Sequence, residues 1–161
     1  MKVVLALLIV LSALPAGAQR LSLTDLIYVT DNRQDTASVF RYIRARGFNR
    51  RARTDDGNIV FLGDRDPGTK RFTEMVFVDL GGNEVKMVQY ATRSTDNYAA
   101  IRRQVAEDGS FNALPGNNEG SGEVLETYSS REYLVHMETI GKATRYVISI
   151  RPKPNAKRRS S

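Results

Sequence analysis

The chain has one histidine and no cysteine, so few side chains are fitted for covalent or acid–base chemistry. His136 sits in the strand-like run Tyr133–Glu138. An imidazole there suits a general base or a pH-sensitive contact. No second histidine stands by for a metal and no nucleophile lies in a recognisable setting, so a structural or surface role is expected. Asp64-Arg65-Asp66-Pro67-Gly68 has a calcium-loop flavour. An EF-type loop needs an oxygen ligand at position 5, glycine at 6 and an acid at 12. Here those positions are Gly68, Thr69 and Met75, so a turn is expected and no metal. Neither a G-x-S-x-G elbow nor a glycine-rich phosphate loop occurs. Paired carboxylates for glycoside hydrolysis have no fixed spacing in sequence, and nothing here selects a pair. The absence of cysteine removes thiol catalysis, thiolate metal sites and disulfides. No cofactor is expected.

Two cationic features remain as candidate contacts. Arg41, Arg44, Arg46, Arg50, Arg51 and Arg53 fall between Thr36 and Thr54 without an acid among them. Guanidinium forks suit phosphates and carboxylates, which makes Arg41, Arg44, Arg50, Arg51 and Arg53 candidate binding residues. The plainer reading is a solvated helix face balanced by Asp55, Asp56 and Asp64. The second feature is residues 151–161, RPKPNAKRRSS, where Lys153, Lys157, Arg158 and Arg159 join Arg151 without an acid. Pro152 and Pro154 favour an extended, disordered tail able to touch an anionic envelope surface. The formal net charge is +6, from 24 basic and 18 acidic residues. Lys2 and the five basic tail residues account for all six, so residues 19–150 are neutral. The case for nucleic acid as a partner goes with them, leaving an unknown protein or an anionic envelope component.

The start of the chain reads as an export signal. Met1-Lys2 is followed by the apolar run Val3–Leu14 and the small-x-small pattern Ala16-Gly17-Ala18. Twelve apolar residues fall short of the roughly 20 that span a bilayer. Cleavage is expected between Ala18 and Gln19, giving a periplasmic or extracellular protein with no transmembrane span. Intact mass of exported material should therefore lack residues 1–18, and their retention would overturn the expectation.

The remaining 143 residues suffice for one domain, 19–150, with a core that needs no disulfide staples. The element around which it is built is the hairpin Arg71–Thr92, turning at Gly82-Asn83. A direct register pairs Leu80 with Val85, Val78 with Met87, Asp79 with Lys86, Phe77 with Val88 and Met75 with Tyr90. Both of its faces are largely apolar, so helices are expected to cover each. Ser22 and Asp25 form a capping box for a first helix ending near Asp31. Asp35 or Thr36 caps a second, with Val39, Phe40 and Ile43 inward and Gly47 as its left-handed stop. Asn58–Leu62 reads as a strand. Ser94 or Thr95 then caps a helix carrying Tyr98, Ile101 and Val105 and ending at Gly109. Ser110–Gly122 reads as a loop, and Glu123–Tyr128, Arg131–Glu138 and Thr144–Ile150 as strands. The expected fold is α+β: two helix-plus-three-strand units, 35–92 and 94–150, offset by about 60 residues, forming one largely antiparallel sheet with helices packed on it.

The run Leu23–Phe48 with its Gly47-Phe48 stop, followed by Gln89–Ser94 and Tyr98, resembles small exported bacterial proteins of unknown function. That resemblance implies a repeated helix-plus-strands unit and no assigned activity. In element order alone the chain is also similar to the two-repeat β-lactamase inhibitory proteins, whose cysteines it lacks. Three functional classes follow: an exported binding domain, an envelope hydrolase using carboxylates, and an inhibitor-like partner protein. Two acids converging in a cleft would favour the hydrolase. An aromatic-rich concave sheet face would favour the inhibitor.

Overall fold

A computed structural model describes residues 21–116, 125–141 and 145–154. The expected helices form at their capping signals. The first, α1 (Leu23–Asp31), starts at Ser22, whose Oγ accepts from the Asp25 amide while Asp25 Oδ2 accepts from the Ser22 amide. The second, α2 (Thr36–Ala45), is capped by Asp35 and followed by Gly47 at φ 95°. The eight strands are β1 (Arg50–Arg53), β2 (Ile59–Leu62), β3 (Glu74–Gly81), β4 (Glu84–Thr92), β5 (Asn112–Leu114), β6 (Leu125–Ser129), β7 (Tyr133–Ile140) and β8 (Arg145–Pro152). Between β4 and β5 lies α3 (Thr95–Glu107), capped by Ser94. It stops two residues before Gly109, with Asp108 as its C-cap.

The strands form one antiparallel sheet in the order β1-β2-β3-β4-β8-β7-β6-β5. Each helix-led unit is a four-strand meander, one strand more than expected, and the two meet at β4 and β8. The additions are the edge strands. Arg50–Arg53 shows no apolar alternation because it has only one neighbour. Asn112–Leu114 is three residues long inside a stretch read as loop.

The hairpin register departs from the direct one. Leu80 pairs with Val85 as expected, but Val78 pairs with Val88, Asp79 with Met87 and Val76 with Tyr90. A bulge between Asp79 and Leu80 leaves Lys86 without an opposite residue. One extra residue turns the rest of β4 over. Met87, expected beside Val76 and Val78, therefore faces the other way. The turn itself holds, with Gly82 at φ 70°.

The helices all lie on one face, which corrects the expectation of cover on both. Across that face run two rows of cross-strand partners. One is Arg51–Phe61–Val76–Tyr90–Ile148–Met137–Glu126, and the other is Arg53–Ile59–Val78–Val88–Ile150–Val135–Tyr128–Ala113. The members from Phe61 to Met137 and from Ile59 to Tyr128 are buried. Asp31 of α1 accepts from the Tyr133 hydroxyl, Phe40 of α2 meets Phe61 edge-on at 5.3 Å, and Asn97 of α3 bonds the Tyr90 hydroxyl. Tyr98 stacks on Tyr146 at 4.6 Å.

The two first helices are locked by Asp25, whose Oδ1 accepts from the Tyr42 hydroxyl and from Arg46 Nη2, each at 2.6 Å. Burial works to raise this carboxyl, but hydrogen bonds from Tyr42 and Ser22 and the charge of Arg46 hold it below its ordinary value. A depressed folded-state pKa gives stability that is present above the unfolded value of about 3.9 and lost as pH falls through the folded one. Melting temperature should drop steeply below about pH 4, and Asp25→Asn should flatten that limb. An unchanged acid limb in the variant would remove Asp25 as its source.

Candidate interaction surface

Side chains alternate across a strand and cross-strand partners share a face, so the ladder also defines the side that none of the described helices covers. One row there spans all eight strands: Ala52–Val60–Phe77–Gln89–Ser149–His136–Thr127–Leu114. A second runs Arg50–Leu62–Met75–Ala91–Val147–Glu138–Leu125. Asp79 and Met87 stand beside them on the hairpin, and Leu134 and Arg151 on the other meander. Val60, Leu62, Met75, Phe77, Met87, Leu134 and Val147 are each half-buried, shielded by sheet neighbours rather than by a second layer. The face is divided. Its β1–β4 half is mainly apolar, with Arg50, Gln89 and Asp79 among the apolar side chains, whereas its β8–β5 half carries Ser149, His136, Thr127 and Glu138. Phe77 is the one aromatic side chain on this face among the described strand residues; the strand tyrosines 90, 128, 133 and 146 all point to the helices. The face is thus not the aromatic-rich surface that would favour the inhibitor class.

His136 lies in the polar half of this face. Its Nδ1 is 3.0 Å from Thr127 Oγ1, and its strand neighbours across β8 are Ser149 and, one step diagonally, Arg151. Burial and then the Arg151 charge lower its pKa, so the ring is neutral near pH 7. Among the described residues no carboxylate bonds it, and no group of three or more potential metal ligands exists.

The arginine candidates divide. Arg50, Arg51 and Arg53 share the exposed edge strand β1, within about 10 Å of one another along the chain. Arg50 turns to the open face; Arg51 and Arg53 turn to the helix side, where the Arg51 guanidinium sits 5.7 Å from the Phe40 ring. Arg44 is one helical turn from Phe40 on the same flank of α2, and Arg41 points outward; both are exposed. Arg46 belongs elsewhere, bound to Asp25. Asp56, thought to balance the cluster, is occupied by Thr54 and Asn58.

The tail begins later than expected. Arg151 and Pro152 belong to β8, and Lys153 is fixed to the fold rather than free. Its Nζ donates to Ser129 Oγ at 2.5 Å and to the Ser130 carbonyl at 2.6 Å, and its amide bonds Glu132. Lys157, Arg158 and Arg159 lie outside the described residues, as do residues 1–20, where the export signal falls.

Two clefts among the described residues bear on carboxylate chemistry. One, of about 340 Å³, is lined by Ile27, Asp108, Phe111, Glu132 and Tyr133 among others. It brings two acids to one cleft, but Asp108 accepts from the Ser110 amide at 2.9 Å, and bonds to Ser110 keep its carboxyl below the usual range. A glycosidase-type acid needs the opposite, a raised pKa. The second, of about 230 Å³, lies beside the start of β1 and contains a single acid, Asp64.

The Asp64–Gly68 stretch is a turn, with Asp66 Oδ1 accepting from the Thr69 amide at 2.6 Å. Sequence reasoning missed the open face, because apolarity on both sides of a strand does not say which side a helix takes. No protein-family model matches the chain, and no match was found among the curated proteins or the solved structures.

Proposed function

We propose that this is an exported binding protein that holds another folded protein against the open face of its sheet. The observation that carries the reading is the uncovered row of half-buried apolar side chains on β2, β3 and β4, opposite a helix layer that buries the other side from Phe61 to Met137 and from Ile59 to Tyr128. Contiguous exposed apolar surface of this kind marks interaction sites. Eight strands spaced about 4.8 Å apart and about five residues deep present on the order of 600 Å². A standard interface uses about 800 Å² per partner, so the face and its rim suffice.

Charge favours a different protein over a second copy. Arg50, Arg145 and Arg151 point to the open face, against Asp79 and Glu138. A copy would bring the same excess of cations, whereas a partner with an apolar centre and a carboxylate rim complements it. A photo-crosslinking residue placed at Phe77 in cells should give a discrete adduct. The same residue at Tyr28, exposed on the helix side, should not. Phe77→Glu should abolish capture of the crosslinked partner by the immobilised protein. No adduct, equal adducts from both positions, or an adduct with the chain itself would overturn the proposal.

A further inference from the structure

We infer that the outer edge of β1 accepts an acidic, extended segment of another protein as a ninth strand of the sheet. This is a separate surface from the open face, and the inference stands on three observations.

The first is backbone supply. β1 is the end strand and pairs only with β2. The Thr54 amide donates inward to the Asn58 carbonyl at 2.9 Å. Antiparallel bonding alternates residue by residue, so Ala52 and Arg50 also turn their backbone groups to β2. Arg51 and Arg53 turn theirs to the free edge. Two donors and two acceptors at a two-residue spacing are what an added strand needs.

The second is charge. All four residues of β1 are exposed, and three are arginines. Arg44, Arg50, Arg51 and Arg53 take part in none of the ion pairs found among the described residues. An incoming strand would alternate its side chains as β1 does. Those on the helix side would meet Arg51, Arg53 and the Arg44 flank, and those on the other side Arg50 and Ala52. Acidic residues at alternate positions would find a fork on either face. Positive charge on an edge ordinarily keeps like edges apart, and here it decides between occupants. A second copy pairing β1 with β1 would set arginine opposite arginine, which is destabilising, whereas an acidic segment is attracted by the same groups.

The third is space. The cleft of about 230 Å³ beside the start of β1 is formed by Gly47, Asn49, Arg50, Leu62, Gly63 and the Asp64–Arg65 pair. It sets the apolar Leu62 among polar groups, with Arg50 and Arg65 outnumbering Asp64, and leaves room for the side chain at the end of the added strand.

The test uses the full mature chain and a blocked peptide of alternating glutamate and valine, with a second peptide of the same sequence N-methylated at every residue, because alternate methylation would leave one edge able to pair. The two carry equal charge, but only the first can complete a ladder. The first should slow amide exchange at Arg51 and Arg53 and bind at least tenfold tighter than the N-methylated peptide. Arg51→Glu with Arg53→Glu should weaken it at least tenfold, while Phe77→Glu should leave it unchanged, separating this edge from the open face. Equal affinity for the N-methylated peptide or for polyphosphate, or no protection at Arg51 and Arg53, would overturn the inference.

Discussion

Val78→Asp is expected to lower stability by several kcal/mol and the melting temperature by more than about 10 °C. Val78 is 0% exposed, between Ile59 and Val88 in the helix-side row. A carboxylate there would have apolar neighbours on both strands and no hydrogen-bond donor. An unpaired buried charge is among the few mechanisms that produce such large losses, and the whole folding margin of a domain is only about 5–15 kcal/mol. The informative control is one residue away. Phe77→Glu places the same kind of charge on the open face and should shift the melt by only a few degrees. Met87→Asp should behave like Phe77→Glu, because the bulge at Lys86 puts Met87 on that side. If Val78→Asp melts within a degree or two of the parent, the two faces are assigned wrongly.

Tyr90→Ala should cost about 3–5 kcal/mol, the range for emptying a buried aromatic site. Tyr90 is among the largest fully buried side chains, with Phe48 edge-on at 6.4 Å. Its hydroxyl bonds Asn97 Nδ2 at 2.5 Å and belongs to a buried polar chain. In that chain the Ser94 amide donates to Thr92 Oγ1, and Thr92 Oγ1 donates to Glu74 Oε1 at 2.8 Å. Burial and then the Glu74 charge push the phenol upward, so it is protonated at neutral pH. Tyr90→Phe keeps the ring and removes only the hydroxyl; its expected cost is about 1–3 kcal/mol, the penalty for stranding buried polar partners. Chemical denaturation of both variants separates the two contributions. Equal losses would mean that the ring itself is loosely packed.

The helices were legible in the sequence because each opens with a side chain that caps it: Ser22, Asp35 and Ser94. The hairpin was legible at its turn and lost its register three residues later, at Lys86, since nothing in Val85-Lys86-Met87-Val88 distinguishes a bulge from continued alternation. β1 was legible as chemistry and not as structure. Its three arginines drew notice as charge, yet a strand flanked on one side only need not alternate. The tail was misread at its start because Pro152 suggests a break, whereas Pro152 lies at the end of β8 and Lys153 reaches back to Ser129 and Ser130. The two-meander plan could be suspected from the repeated helix-then-strands order, but the junction of β4 with β8 joins residues too far apart for any local pattern to show.

That junction bears on when the protein can finish folding as it leaves the ribosome. The first helix packs on β4 and β8, and its Leu23 amide bonds Gln104 of α3. Leu23, Leu26 and Val29 are therefore made well before their seat is complete, which requires residues 145–152, more than 110 residues further along the chain. Each meander can zip locally, but the clasp that joins them waits until β8 has been made, so the nascent domain stays open until then. Such a delay keeps a chain pliable enough to be threaded through a pore. It also means that a stop codon before β8 would leave α1 unseated along with the missing strand, and truncated products should be cleared by proteases rather than persist as half-domains.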